Sequence, residues 1–471
     1  MAGETLPASA DVVVIGAGPG GYVAAIRAAQ AGLDVTLVER DAYGGTCLNV
    51  GCIPSKAIIT AADTAHEAES AERMGIHGDV DVDFGGMMAW KDQVVSQLSG
   101  GVEKLCRANG VTLVDGTATF AGDGSVRVTR EGRDPGTIAF EHAIVATGSR
   151  PIALPGFEFD GDRILSSTGA LELEARPDRL VVVGAGYIGM ELSTAFAKLG
   201  TDVTVVEALE GALPGFERDV ARVVERRAED LGVTFGFGER ATGHSAAAGG
   251  VRLVTETEDG DRSEYEADHA VVAVGRAPVT DTVDLEAAGI ETDDRGFVPT
   301  DERGRTEAEG IFAVGDVAGE PMLAHEASAE GEIAADTVAG RSVRSKRSIP
   351  AAVFTDPEIA TVGLTEAEAR EAGIDPAVGR MSMRASGRAL TLGATDGFVR
   401  IVADAETGTV LGAAMVCPDA SELIAEIALA VETEATLAEV AATVHTHPTL
   451  GEAVAEAVAN ARGEAIHTLN E

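Results

Sequence analysis

Asp11-Val12-Val13-Val14-Ile15-Gly16-Ala17-Gly18-Pro19-Gly20-Gly21 is an apolar run that opens into a glycine loop, and its pattern recurs as Arg179-Leu180-Val181-Val182-Val183-Gly184-Ala185-Gly186. A single offset of 168 residues carries the match onward: Gly21 aligns with Gly189, Gly32 with Gly200, Asp34-Val35-Thr36 with Asp202-Val203-Thr204, and Glu39 with Glu207. Each copy reads as strand, glycine loop, helix, turn at glycine, strand and acid. One glycine loop alone is a weak signal. Two in full β-α-β context, each with an acid 23 residues past its first glycine, point to two dinucleotide sites.

Residue type supplies the mechanics. Gly16 and Gly184 permit the tight turn, Gly18 and Gly186 let backbone approach a pyrophosphate, and Gly21 and Gly189 allow close packing of helix on strand. The phosphates would rest on helix N-termini. Glu39 and Glu207 would accept from ribose hydroxyls; the alternative is that each is an acid at a solvated strand end. Glu207 also repels a 2′-phosphate, and positions 208–216 hold no Arg or Lys to receive one. The second site is therefore expected to take NAD rather than NADP.

Just past the first unit comes Gly44-Gly45-Thr46-Cys47-Leu48-Asn49-Val50-Gly51-Cys52-Ile53-Pro54-Ser55-Lys56. In a regular helix, residues five apart lie roughly 8–9 Å between Cα atoms, whereas a disulfide wants about 4.4–6.8 Å. If Cys47 and Cys52 bond, the helix start must be distorted, and Gly51 and Pro54 suit that. An accessible, strained bridge is the reducible kind. The other readings are two unpaired thiols or a metal pair, and no second cysteine pair supports a metal. Cys106 and Cys417 stand alone. A redox-capable thiol pair after a dinucleotide unit suggests that electrons pass between the two.

Further along, Ile144-Val145-Ala146-Thr147-Gly148-Ser149-Arg150-Pro151 closes the first unit, and Val271-Val272-Ala273-Val274-Gly275-Arg276-Ala277-Pro278 closes the second. Both are apolar strands ending in Gly and then Pro, as at domain crossings, so one nucleotide unit is inserted into the other. Positions 60–110 read as helical and 111–142 as short strands with glycine turns. Gly310-Ile311-Phe312-Ala313-Val314-Gly315-Asp316-Val317 reads as a buried strand ending in an acid; Asp316 would hold a ribityl or ribose hydroxyl, or serve as a simple turn aspartate. From about 349 onward helices are expected at 365–372 and 421–432, with strands at 397–404 and 410–416. His447 with Glu452 five residues on is a candidate acid–base dyad, the acid fixing the imidazole's tautomer. Alone it would read as structural or metal-binding; beside a redox dithiol it reads as a base for a thiol.

The 471 residues fit about three domains. Positions 1–10 lack a basic start and an apolar stretch, so no secretory signal is expected, and no apolar segment reaches the length of a bilayer span. A cytoplasmic protein is expected, in which a disulfide is more often catalytic than structural. The net charge of −41 disfavours nucleic acid and anionic membrane as partners. Lysine is confined to Lys56, Lys91, Lys104, Lys198 and Lys346. Such self-repulsion is tolerable under strong ionic screening, which points to a halophilic cell.

Taken together, the cysteine run, both glycine loops, Gly315-Asp316, and His447-Pro448-Thr449 with Glu452 resemble the flavoprotein disulfide reductases over the whole chain. The resemblance implies an α/β fold with two Rossmann-like domains, one for FAD and one for NAD(P), the second inserted in the first, plus a C-terminal α+β dimerisation domain. It implies an FAD domain at 1–150, an NAD domain at 151–277, a central domain at 278–348 that completes the first, and an interface domain at 349–471. Cys47 would then exchange with substrate and Cys52 would face the flavin. Lys56 would sit beside the flavin and pair with Glu191. Thr147, Gly148, Asp316, Ala324 and His325 would lie near FAD, and Gly275 near NAD. His447, helped by Glu452, would serve the other subunit's disulfide, which makes a homodimer the working unit.

Within that family the chain looks most like the branch that oxidises dihydrolipoamide and reduces NAD, with lipoamide carried on the lipoyl domain of a 2-oxo acid dehydrogenase complex or a glycine cleavage protein. Glutathione-type features and the C-terminal cysteine pair of mercuric reductases are missing from this sequence. The competing readings are another NAD(P)H-linked reductase of a small thiol, and a flavin-binding redox sensor without turnover. No metal site is expected.

Overall fold

The computed structural model describes residues 6–122, 124–343 and 348–470, so part of the 1–10 reading lies outside the described residues. Ser9–Ile15 is the pivot of the first sheet. It pairs in parallel with Val35–Glu39 on one side and with Gly136–Val145 on the other. Thr112–Asp115 extends the sheet beyond Val35–Glu39, and Ile311–Ala313 returns to lie parallel to Gly136–Val145. Successive side chains of Ser9–Ile15 enter two different cores: Val12 and Val14 pack with Ala24, Ala28 and Leu37, while Val13 and Ile15 pack with Val126, Ile138 and Val298. A strand buried on both faces needs the unbroken apolar run seen here. An antiparallel flap of Thr117–Phe120 and Ser125–Thr129 extends the long Gly136–Val145 strand.

The second sheet repeats the plan. Arg179–Val183 lies between Asp202–Glu207 and His269–Val272, all parallel, with Thr234–Phe237 and Ile164–Leu165 at the edges. The helix after its glycine loop, Tyr187–Lys198, matches Pro19–Gln30 residue for residue at the offset of 168. The two Gly…Pro echoes form one small ribbon, in which Ser149–Pro151 pairs antiparallel with Arg276–Pro278. The chain thus leaves the first unit and returns to it through adjacent strands.

C-terminal to these, Ala351–Val353, Glu358–Gly363, Val410–Cys417, Phe398–Asp404 and Pro376–Ser382 form an antiparallel sheet in that order. The helices Ala420–Thr433 and Gly451–Ala461 share its core with Val399, Ile401 and Met415. The short helix Glu366–Glu371 starts where expected, because Thr365 and Glu368 cap each other's backbone N–H groups.

Two expectations change in detail. Positions 60–110 are not one helical stretch, since Cys52–Glu69 and Phe84–Ala108 are separated by a 3-10 turn and a non-helical link to Asp83, which caps the second helix through the Gly86 N–H. The strand at 310–317 is limited to Ile311–Ala313; Gly315 has φ +74° and turns the chain so that Asp316 stands on a 3-10 turn. No helix among the described residues is long and apolar enough to cross a membrane.

Candidate active site

Both glycine loops are built alike. Gly16 and Gly184 have φ of +98° and +103°. A Cβ on Gly21 would lie 1.9 Å from the Gly16 carbonyl oxygen, and one on Gly189 would lie 2.0 Å from that of Gly184, so these two glycines support the loops from behind. Gly18 and Gly186 have open space where a Cβ would stand, and they leave room for a phosphate against the backbone. Glu39 accepts from the Ala17 N–H (2.6 Å) and the Asp41 N–H (2.7 Å), and Glu207 likewise from Ala185 (2.8 Å) and Leu209 (2.9 Å). Each acid therefore ties its glycine loop to the turn after the second strand. A carboxylate has about four acceptor positions, so both retain capacity for a ribose hydroxyl.

Two cavities are associated with the loops. The first, about 560 Å³, is lined by Gly16, Gly18, Glu39, Cys47, Cys52, Lys56, Thr147, Gly148, Glu191, Asp316 and Ala324. The second, about 1080 Å³, is lined by Gly184, Gly186, Glu207 and Gly275. Tyr187, Ile188, Arg276 and Met322 line both, so the cavities meet at the start of the Tyr187–Lys198 helix.

The dithiol sits in the wall of the first cavity. Gly45–Val50 and Cys52–Glu69 are separate helices, broken at Gly51, where φ is −138° and ψ is −110°. That break is the distortion the five-residue spacing demanded, and it brings Cys47 and Cys52 within hydrogen-bonding reach as free thiols. The hydrogen bond from Cys47, and then the charge of Lys56, hold Cys52 below the usual thiol range against burial and Glu191. Cys47 is pushed up, first by the same bond and then by burial. Of the two sulfurs, Cys52 is thus the one favoured as thiolate and Cys47 the one favoured to hold its proton.

Lys56 Nζ lies 2.7 Å from Glu191 Oε2 and 4.5 Å from the centroid of the Phe354 ring, while the Phe354 N–H donates to Glu191 Oε1 at 2.8 Å. Phe354 carried no signal in the sequence, because it lies on the segment after Ala351–Val353 and arrives only through tertiary packing. Asn49 was overlooked as well: its amide donates to the Tyr43 and Gly45 carbonyls and accepts from Ser99, which fixes the short helix that carries Cys47. Asp316 accepts from the Ser149 hydroxyl, itself held by Arg276 Nε at 2.7 Å, and Thr147 donates to the Val279 carbonyl at 2.6 Å. Nearby, Glu330 accepts from the Gly315 N–H at 2.6 Å. Glu326 has a buried oxygen without a hydrogen-bond partner, and burial, then Glu330 and Asp316, push its carboxyl up to about 7.

One expected group stands elsewhere. His325 does not line the cavity; its Nε2 meets the Pro350 carbonyl at 2.6 Å on the exposed side of the Ala324–Val338 helix. Ala324 and Ala327, three residues apart, share the cavity-facing side, and His325 is not among the lining residues. His447 Nδ1 meets Glu452 Oε1 at 2.8 Å, and Glu452 Oε2 accepts from the Thr449 N–H at 3.0 Å. That imidazole is 81% exposed and belongs to neither cavity of its own chain. Among the described residues no cluster of His, Cys, Asp and Glu is arranged to hold a metal ion.

Residues 10–331 match the family model described as pyridine nucleotide-disulphide oxidoreductase, and 349–458 match the dimerisation domain of the same group. The chain is 62% identical to a dihydrolipoyl dehydrogenase of Haloferax volcanii over 98% of both chains, and 58% identical to one of Halobacterium salinarum with the same coverage. A dihydrolipoyl dehydrogenase of Geobacillus stearothermophilus is 46% identical, again over 98% of each. Among solved structures, LpdA of Mycobacterium tuberculosis superposes with a TM-score of 0.89 at 31% identity, covering 95% of this chain and 98% of that one.

Proposed function

The chain belongs to the pyridine nucleotide-disulphide oxidoreductase family, and from that premise we propose that it oxidises dihydrolipoamide to lipoamide and reduces NAD through FAD. The observation that carries this reading is the dithiol in the wall of one nucleotide cavity, with a second nucleotide cavity meeting the first at Tyr187. The open backbone at Gly18 and the acid at Glu39 suit FAD in the first cradle. The same features at Gly186 and Glu207 suit NAD in the second. FAD, when bound, supplies a two-electron acceptor between the dithiol and NAD.

The chain's own groups do the sulfur chemistry. In the oxidised enzyme Cys47 and Cys52 share a disulfide. His447 of the partner subunit, steadied by Glu452 of the partner subunit, takes a proton from one substrate thiol. The resulting thiolate attacks Cys47, and the Cys47–Cys52 bond breaks. The second substrate thiol then attacks the first substrate sulfur and displaces Cys47, which leaves as a thiol with that group's proton, so lipoamide and a reduced pair result. Cys52 is left as the thiolate, stabilised by the Cys47 hydrogen bond and by Lys56. The exposure of His447 outside its own chain's cavities supports a base that works across a homodimer.

In this reading residues 1–150 and 278–348 hold FAD, 151–277 hold NAD, and 349–471 form the subunit interface. The enzyme works in the cytoplasm of a halophilic cell, on lipoamide carried by the lipoyl domain of a 2-oxo acid dehydrogenase complex or a glycine cleavage protein. The test is a rate comparison in molar KCl. NADH formation with dihydrolipoamide and NAD, far exceeding the rates with NADP or with glutathione, is the expected result; equal or faster turnover with another thiol would overturn it.

A further inference from the structure

Lys56–Glu191 is one of two ion pairs between the same helices. Lys198 Nζ lies 2.6 Å from Asp63 Oδ1, and both pairs join positions 135 apart in the chain. Equal offsets mean that Cys52–Glu69 and Tyr187–Lys198 run parallel and in register, with the two links seven residues, about 10.5 Å, apart along the axes. The charges are reversed between the links. In the first the cation stands on the cysteine helix; in the second it stands on the nucleotide-loop helix. Sliding by one turn breaks both links, and sliding by seven residues sets Lys56 against Lys198 or Asp63 against Glu191. The arrangement therefore admits one register.

The C-terminal sheet closes both links from one short segment. Phe354 donates its N–H to Glu191, and Asp356, two residues on, lies 2.9 Å from Lys198 Nζ. Asp356 also takes Arg227 from the Arg218–Asp230 helix, at 3.0 Å from Nε and 2.9 Å from Nη2. Lys198 is 6% exposed, and its two carboxylates and Arg227 leave the group with no net charge. Next to them His66 has its value lowered, first by burial and then by Arg227 and Lys198. In a chain with five lysines, two occupy this single helix pair.

We propose that Lys198, held by Asp63 and Asp356, is a positioning residue that sets the register of the cysteine helix and so places Lys56 against Cys52. It touches neither thiol nor either cavity, and acts through Lys56 and Glu191. The inference rests on the reading of Cys47 and Cys52 as the working dithiol. The titratable groups that face Cys52 are Cys47, Lys56, Glu191 and Tyr187. Lys198 is absent from that set, so its removal can move Cys52 only by displacing the others.

The experiment compares the FAD-loaded wild type with Lys198→Met, Lys198→Arg and Asp63→Asn in molar KCl. After reduction by a dithiol, the pH dependence of iodoacetamide alkylation at Cys52 is followed by peptide mass spectrometry. Lys198→Met is expected to raise the midpoint by about half a pH unit or more, because Lys56 moves off and Glu191 loses its partner. Lys198→Arg restores it, and Asp63→Asn shifts it less in the same direction. A lowered Tm with an unmoved Cys52 midpoint would overturn the proposal and leave Lys198 with a merely structural role. Where Lys198→Met does not fold, Asp63→Asn, which keeps the Asp356 link, decides by the same criterion. A wild type that is inactive on dihydrolipoamide, with Lys198→Met still shifting the Cys52 midpoint, would sink the substrate reading and leave the positioning role standing.

Discussion

Cys52 and Lys56 stand four residues apart at the start of one helix, so the thiol and the ammonium share a face, and the cation draws the sulfur's proton equilibrium down. With the Cys47 hydrogen bond, it lowers Cys52 to about 7. Because the value is depressed, the thiolate is present above that pH and lost below it. Lys56→Met is expected to move the transition up by about 1 unit or more, read as the alkylation profile of the reduced enzyme. A profile superimposable on the wild type would reject the role given to Lys56.

His447 and Glu452 make an exposed dyad 2.8 Å apart. His447→Ala should lower turnover of dihydrolipoamide by about 10²–10⁴-fold, the usual range for losing a positioned base. Mixing subunits gives the sharper test. Co-refolded Cys47→Ser and His447→Ala chains form half of their dimers as hybrids, each with one intact site, and recover about a quarter of wild-type activity. Failure to recover any, with hybrid dimers present, would place the base within its own subunit.

Glu326 carries the opposite sign. Its folded value is raised to about 7, so ionisation opposes folding, and its contribution to stability falls as pH rises from the unfolded range through 7. Glu326→Gln should therefore stabilise the protein at pH 8 by about 2 kcal/mol and have little effect near pH 4.5. Denaturant titrations at the two pH values check this. Equal effects at both would show that the carboxyl is not the cause.

Glu207 holds the second glycine loop through Ala185 and the following turn through Leu209. Glu207→Gln keeps an acceptor oxygen but loses the charge that a ribose hydroxyl would meet. The KM for NAD should rise about tenfold, in line with the value of a hydrogen bond to a charged group, with kcat little changed. An unaltered KM would mean that Glu207 serves the loop alone.

The sequence revealed most where local chemistry and periodicity agree. Two apolar strands, two loops that require glycine and one offset made the nucleotide units legible, and the spacing of Cys47 and Cys52 forecast the broken helix at Gly51. Apart from Lys56–Glu191, which only the family resemblance supplied, contacts brought together across long stretches of chain were not legible. Phe354 reaches Glu191 across 163 residues, and Asp316 takes the Ser149 hydroxyl across 167. Nothing near those positions in the chain marks the meeting. His325 turned on helix phase, since beginning the helix at Ala324 aims positions 324 and 327 inward and carries 325 out. The sequence marks Glu39 and Glu207 as ribose acceptors, whereas their backbone bonds depend on how the turns after the second strands close.

The most direct test of the relay is NADH formation from dihydrolipoamide by the purified FAD-loaded protein in molar KCl, wild type against Cys47→Ser. Steady NADH production by the wild type is expected, with a loss of about 10³-fold or more in the variant and FAD content and dimer mass unchanged. Wild-type rates from Cys47→Ser would contradict the relay, because electrons would then be reaching NAD without passing through the dithiol.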